Sequence, residues 1–229
     1  MNQFELALFG TDSTPGEEVA LDIAGPAGAL EAVVTASRPG PLSTFKGLAV
    51  VCHPHPVHGG TMNNKVVTTL VRSYRDLGIP CIRFNFRGTG KSAGTFDHAR
   101  GEVDDALAVI AWALGLSPES DVCLAGFSFG SAVAAKASYQ CRNLKHLTLV
   151  APPVERYDYD LDGTFPAPLC VVQGGQDELV DVKGVYRWLE TIQSPHQLIR
   201  FDQASHFFHG ALVDFKRELS AAIETQLGQ

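Results

Sequence analysis

Short apolar runs alternate along the chain with longer stretches whose apolar residues recur every three or four positions. Residues 19–24 and 29–36, separated by "GPAG", predict an opening hairpin. The runs "GLAVVC" (47–52), "IPCIRF" (79–84), "DVCLAG" (121–126), "HLTLVA" (146–151), "PLCVVQG" (168–174) and "HQLIRF" (196–201) follow. Most show little alternation, the pattern of strands buried on both faces. Between them, Val67, Leu70, Val71, Tyr74 and Leu77 share one helical face, as do Val103, Leu107, Ile110 and Leu114. A last helix shows Leu212, Phe215, Leu219 and Ile223. Strands alternating with amphipathic helices predict an α/β fold whose mostly parallel sheet is covered on both sides. No repeat, low-complexity tract or linker interrupts the pattern, so 1–229 reads as a single domain. Such sheets collect ligands at the carboxyl ends of their strands, and the chemistry is sought there.

After the run at 121–126 the chain reads Gly126-Phe127-Ser128-Phe129-Gly130 and then an Ala-rich helical stretch. This fits G-x-S-x-G at a strand-to-helix junction. A turn that sharp strains the serine backbone, and side chains two residues away on either side would clash, so both positions need glycine. The serine hydroxyl then stands above the sheet at the positive end of the following helix. The plain alternative is a small-residue turn with Ser128 capping that helix.

A serine hydroxyl is inert at neutral pH without a base. His206 follows the 196–201 run by five residues; His209 is the alternative and reads as the start of the last helix. The imidazole needs an anion to fix its tautomer. Asp177, behind a Gly-Gly turn after 168–174, is preferred, with Asp181 the near alternative; Asp202 lies too close to His206 along the chain. The order Ser128, Asp177, His206 suits one known arrangement, which also needs two backbone N–H groups to hold an oxyanion. Phe129 supplies one, and His55, in "HPHPVHGGTMNNKVV", is assigned the other, with Gly59 and Gly60 turning the backbone beneath the substrate. Phe127, Phe129 and Phe207 are candidates for an apolar substrate-binding wall.

Composition narrows the partners. Acidic side chains outnumber basic ones, for a net charge of −7, and the Lys and Arg residues are scattered, which argues against nucleic acid or an anionic membrane. Hydrophobic residues at 45% and charged residues at 19% describe a globular chain. The odd cysteine count leaves at least one thiol unpaired, no CxxC occurs, and a reducing compartment fits. The first eighteen residues lack a basic start and a long apolar run, and no apolar segment approaches membrane-spanning length. The expectation is a cytoplasmic protein that acts on a small molecule without a cofactor.

With these motifs in order, the chain resembles an α/β-hydrolase, specifically the small bacterial serine hydrolases that carry HPHP…GGTM-NNKVV after the third strand. The same group shows "FNFRGTGKSAGTFD" after the fourth strand and G-F-S-F-G after the fifth. The resemblance runs from about Val19 to the last helix. It implies an eight-stranded, mainly parallel sheet with the second strand antiparallel, and acyl-enzyme chemistry by Ser128, His206 and Asp177 on a small-molecule acyl substrate. Only about sixteen residues, 152–167, separate the sixth and seventh strands, too few for a substantial lid domain.

Other motifs point elsewhere. His53, His55 and His58 have an H-x-H-x-x-H spacing and offer an alternative, a metal-dependent hydrolase; Val57 stands where zinc hydrolases of that pattern place an aspartate. A further alternative is a non-catalytic binding protein on the same fold. "RGTGKSAG" fails as a phosphate loop because Asn85 occupies the first glycine position, and it lacks the prompt helix of a dinucleotide site. Arg87, Gly88 and Gly90 therefore read as a structural loop, and Asp104 and Asp105 as a solvated or loop-pairing helix face.

Overall fold

The structure is a computed structural model that describes residues 14–160 and 162–228. The stretch read as lacking a basic start and a long apolar run falls largely on residues 1–13, outside the described residues. Eight strands form one sheet: β1 (Glu18–Gly25), β2 (Gly28–Thr35), β3 (Gly47–Cys52), β4 (Cys81–Phe84), β5 (Asp121–Phe127), β6 (Leu144–Val150), β7 (Leu169–Gly174) and β8 (His196–Phe201). Their spatial order is β1-β2-β4-β3-β5-β6-β7-β8. β2 is antiparallel to both its neighbours, and every later pairing is parallel. This is the α/β-hydrolase fold.

The helices are α1 (Lys65–Leu77), α2 (Gly101–Leu116), α3 (Phe129–Ser138), α4 (Val182–Thr191) and α5 (Leu212–Leu227). Side chains alternate across a strand, so each central strand feeds two cores. Leu48, Val50, Val122 and Leu124 pack with α2, α3 and α4 on one face. Ala49, Val51, Cys123, Ala125 and Phe127 pack with α1 and α5 on the other. Burial on both sides explains why the strands read as unbroken apolar runs.

Several boundaries differ from the sequence reading for identifiable reasons. β4 begins at Cys81, not residue 79, because Pro80 has no N–H to give to the ladder. The buried face of α2 runs through Val103, Ala106, Val109, Ile110 and Ala113, while Leu107 and Leu114 are only partly buried. Alanines let this helix approach the sheet closely, a preference that a count of large apolar residues overlooks. Residues 152–167 contain no helix or strand among the described residues, so no lid domain rises over the carboxyl edge. Among the described residues no helix is long and apolar enough to cross a membrane.

Candidate active site

Ser128 sits between the end of β5 and the start of α3 with φ 53° and ψ −121°, a conformation that costs a non-glycine residue on the order of 1–3 kcal/mol. The two glycines make the turn possible. A Cβ on Gly126 would collide with the carbonyl of Gly130, and one on Gly130 with the carbonyls of Cys52 and His53. The Ser128 N–H donates to Val150 O at 2.8 Å, which ties the turn to β6. The Ser128 side chain makes no hydrogen bond to α3, so the helix-capping alternative does not hold.

Instead the Ser128 hydroxyl lies 3.1 Å from His206 Nε2. On the far side of the ring, His206 Nδ1–H donates to Asp177 Oδ2 at 2.8 Å. The side chains of His206 and Asp177 are 3% and 0% exposed, so water competes for neither bond. Asp177 Oδ1 accepts the N–H groups of Leu179 at 2.9 Å and Val180 at 2.8 Å. Burial by itself would raise the Asp177 carboxyl, but the bond and charge of His206 and these two N–H groups outweigh it and hold the group below its ordinary range. The carboxylate therefore stays ionised and keeps the proton on Nδ1, which leaves Nε2 open to accept from Ser128.

The competing candidates are occupied elsewhere. Asp181 caps α4 by accepting from Lys183 N at 3.0 Å, and Asp202 pairs with Arg200 at 3.1 Å. His209 is exposed and does not begin a helix, since α5 starts at Leu212. His53 is buried with both ring nitrogens engaged by backbone: Nδ1–H donates to Pro54 O at 2.6 Å, and Nε2 accepts from Phe86 N at 3.0 Å. His53 thus cannot join His55 and His58 around an ion. Among the described residues, no group of three or more His, Cys, Asp or Glu side chains is arranged to hold a metal.

A cleft of about 610 Å³ opens above Ser128, within the usual range for small-molecule sites. His55, Phe129 and Phe207 line it, together with His58, Arg156 and Tyr157. Gly60 N donates to His55 O at 3.0 Å and closes the 55–60 turn, and Gly59 takes φ 77° beside it. Phe129 opens α3, where a helical N–H has no intrahelical acceptor. Phe127 corrects the sequence reading: it is fully buried and does not line the cleft. It lies on the same side of β5 as Cys123 and Ala125, with its ring 5.0 Å from that of His206, which it supports from below.

Several contributors were missed. Gln173 Nε2 donates to Asp177 Oδ2 at 3.2 Å, and Glu178 accepts the His206 backbone N–H at 3.1 Å. Pro153, Arg156 and Tyr157 come from the irregular 152–167 segment, with Tyr157 edge-on to Phe129 at 5.6 Å. The Asp104/Asp105 pair divides: Asp104 is exposed, while buried Asp105 accepts both Nη2–H and Nε–H of Arg87 and so anchors the Gly88–Gly90 loop. Neighbouring Glu102 is also buried and accepts the N–H groups of Asp97 and Ala99. All five cysteines are free and buried. Burial pushes the Cys52, Cys81, Cys123 and Cys170 thiols up, so none is a ready nucleophile.

Comparison with known proteins agrees with this fold. A family model described as X-Pro dipeptidyl-peptidase (S15 family) matches residues 33–168, which include the Ser128 turn and end before Asp177 and His206. An α/β serine hydrolase without a lid from Xanthomonas campestris is 41% identical, with a TM-score of 0.84 over 94% of this chain and 98% of that one. An α/β serine hydrolase homologue from Coxiella burnetii is 40% identical, with a TM-score of 0.83 over 93% and 99%. An uncharacterised protein of Rickettsia prowazekii is 33% identical over 183 residues, 76% of each chain. The chain belongs to the S15 family so described, within the α/β-hydrolase superfamily of serine hydrolases.

Proposed function

We propose that the protein is a carboxylesterase-like serine hydrolase of small or soluble acyl substrates, with Ser128 as nucleophile, His206 as base and Asp177 as its orienting acid. The observation that carries this reading is the bonded run from Ser128 Oγ through both nitrogens of His206 to Asp177, at 3.1 and 2.8 Å, on the floor of a cleft. His206 Nε2 takes the hydroxyl proton as Oγ attacks the substrate carbonyl carbon. The oxyanion rests on the N–H groups of Phe129 and His55. The carbonyl–oxygen bond then breaks, and the leaving alcohol departs with the proton from Nε2. Water, deprotonated by the same imidazole, attacks the acyl carbon; the bond to Oγ breaks, Nε2 returns the proton to Oγ, and the acid leaves.

The open cleft, walled by Phe129, Tyr157 and Phe207 and not roofed by a lid domain, favours short acyl chains. Cleavage by a dipeptidyl peptidase would bring a protonated α-amino group into this cleft, beside the Arg156 cation, which is an unfavourable neighbour. We place the protein in the cytoplasm as a single domain, a placement to which five buried free thiols lend support.

A fluorophosphonate probe with para-nitrophenyl esters of graded length tests the reading. The expected outcome is covalent labelling at Ser128, lost in Ser128→Ala and indifferent to chelator, with turnover falling as the acyl chain lengthens. Chelator-sensitive turnover that survives Ser128→Ala would establish the metal-dependent alternative. A rise in rate with long-chain esters would contradict the small-substrate assignment.

A further inference from the structure

The chain carries a net charge of −7, yet among the described residues no carboxylate lines its cleft. Among the described residues the lining contains one permanent cation, Arg156, and three imidazoles (His55, His58 and His206). Asp177 lies beneath the floor with its side chain out of contact with solvent and both oxygens occupied.

Arg156 is held in place without being neutralised. One of its Nη2–H groups donates to Leu179 O at 2.9 Å, which bridges the segment after β6 to the loop that carries Asp177. A backbone carbonyl fixes the guanidinium but leaves its charge and its other N–H donors available. Among the described residues no carboxylate stands within ion-pair distance of it. Of the two nearby acids, Asp181 pairs with Arg187 at 3.2 Å, and Glu155, whose carboxyl feels the Arg156 charge, stands beyond ion-pair distance. The field in the cleft is felt by His55: burial lowers its imidazole, and the charges of His58, His98 and Arg156 lower it further. Two helices, α1 behind its cap Asn64 and α3 at Phe129, also begin at the cleft and turn their positive ends toward it.

We infer that Arg156 is the specificity-determining residue, and that the substrate is a small acyl compound carrying one ionised carboxylate, which the guanidinium receives while the scissile carbonyl sits at Ser128. This rests on the serine-hydrolase reading above. A planar guanidinium suits a carboxylate through paired N–H donors, whereas lysine would offer a point charge alone.

The experiment compares kcat/KM for closely matched substrates that differ in charge. For a carboxylate on the acyl side, the pair is the para-nitrophenyl monoester of adipic acid and that of its monoamide, with the para-nitrophenyl ester of aminocaproic acid as the cationic counterpart. For a carboxylate on the leaving side, the pair is para-carboxyphenyl acetate and para-carbamoylphenyl acetate. In one of the two arms the anionic substrate is expected to lead by about tenfold, an advantage that shrinks as salt is raised. Arg156→Gln should bring that ratio to about one, Arg156→Lys should keep part of it, and Arg156→Glu should favour the cationic ester. The ratio within each variant is independent of how much of the enzyme is active.

Neutral esters turned over with no anionic advantage in either arm would overturn the inference and leave the serine-hydrolase reading standing. An advantage that persists in Arg156→Gln would equally remove Arg156 from the role. No turnover of any ester, with no fluorophosphonate labelling at Ser128, would bring down both.

Discussion

Gly126 and Gly130 face each other across the Ser128 turn so closely that a methyl group on the first would occupy the carbonyl of the second. Gly130 meets a second wall as well, the carbonyls of Cys52 and His53 at the end of β3. Both obstacles are backbone, which cannot rotate aside as a side chain can. The hydroxyl of Ser128 is presented to His206 only because this space is empty.

Gly130→Ala should therefore cost more activity than stability. An added methyl in a packed region destabilises by about 1–3 kcal/mol. The displacement it forces on Ser128 should cut fluorophosphonate labelling by about a hundredfold. Ser128→Gly should do the opposite: it removes the hydroxyl but relieves the strain at φ 53°, and is expected to unfold at a higher temperature than the parent. Labelling rates and thermal unfolding of the two variants check both. Gly130→Ala that labels at the parental rate would mean that the turn has slack elsewhere.

Asp177 is separated from its rival Asp181 by what each oxygen accepts. Asp177 takes His206 Nδ1–H, Gln173 Nε2–H and two backbone N–H groups, whereas Asp181 takes a helix-capping N–H and an exposed arginine. Asp177→Asn keeps the shape but cannot hold the same imidazole tautomer, and should lower kcat/KM by about a thousandfold or more. Asp181→Asn still accepts from Lys183 N and should retain activity. Gln173→Met removes one donor from Asp177 and should lie between the two. Steady-state kinetics on one short ester ranks all three, and an Asp181→Asn loss equal to that of Asp177→Asn would reverse the assignment.

The legible part of the protein was the part dictated by local chemistry. The strands announced themselves because burial on two faces demands unbroken apolar runs. Ser128, Asp177 and His206 read as a set because each follows a strand closely, and the fold brings the three side chains within hydrogen-bonding distance. Phe127 was misplaced because strand parity, not proximity to Ser128 in sequence, decides which way its ring points. Arg156 and Tyr157 left no signal at all: their segment has no periodicity, and only the passage from β6 to β7 carries it over the cleft. Gln173 read as one more residue of an apolar strand, and its role emerges only when the turn behind it folds Asp177 back onto it.

His53 gives the fold a weakness at mildly acidic pH. Its Nε2 must stay unprotonated to accept the Phe86 N–H, and burial pushes the imidazole down to about 4, although the Pro54 carbonyl pulls the other way. In the unfolded chain the same group titrates near 6.5. Between those values the unfolded state binds a proton that the folded state refuses, so stability is present in full above about 6.5 and drains away as pH falls toward 4. The loss over that window is about 3 kcal/mol from this residue. His146, also buried and lowered to about 4, adds in the same direction, so the contribution of His53 must be isolated by substitution. The depressed carboxyl of Asp177 acts in a lower window, because its stabilisation is lost only as pH falls below the ordinary carboxylate value. Urea unfolding at pH 7 and at pH 4.5 should show His53→Gln less stable than the parent at the higher pH but with a shallower decline between the two. Equal declines would mean that His53 takes up its proton within the folded protein and that the Phe86 bond is dispensable.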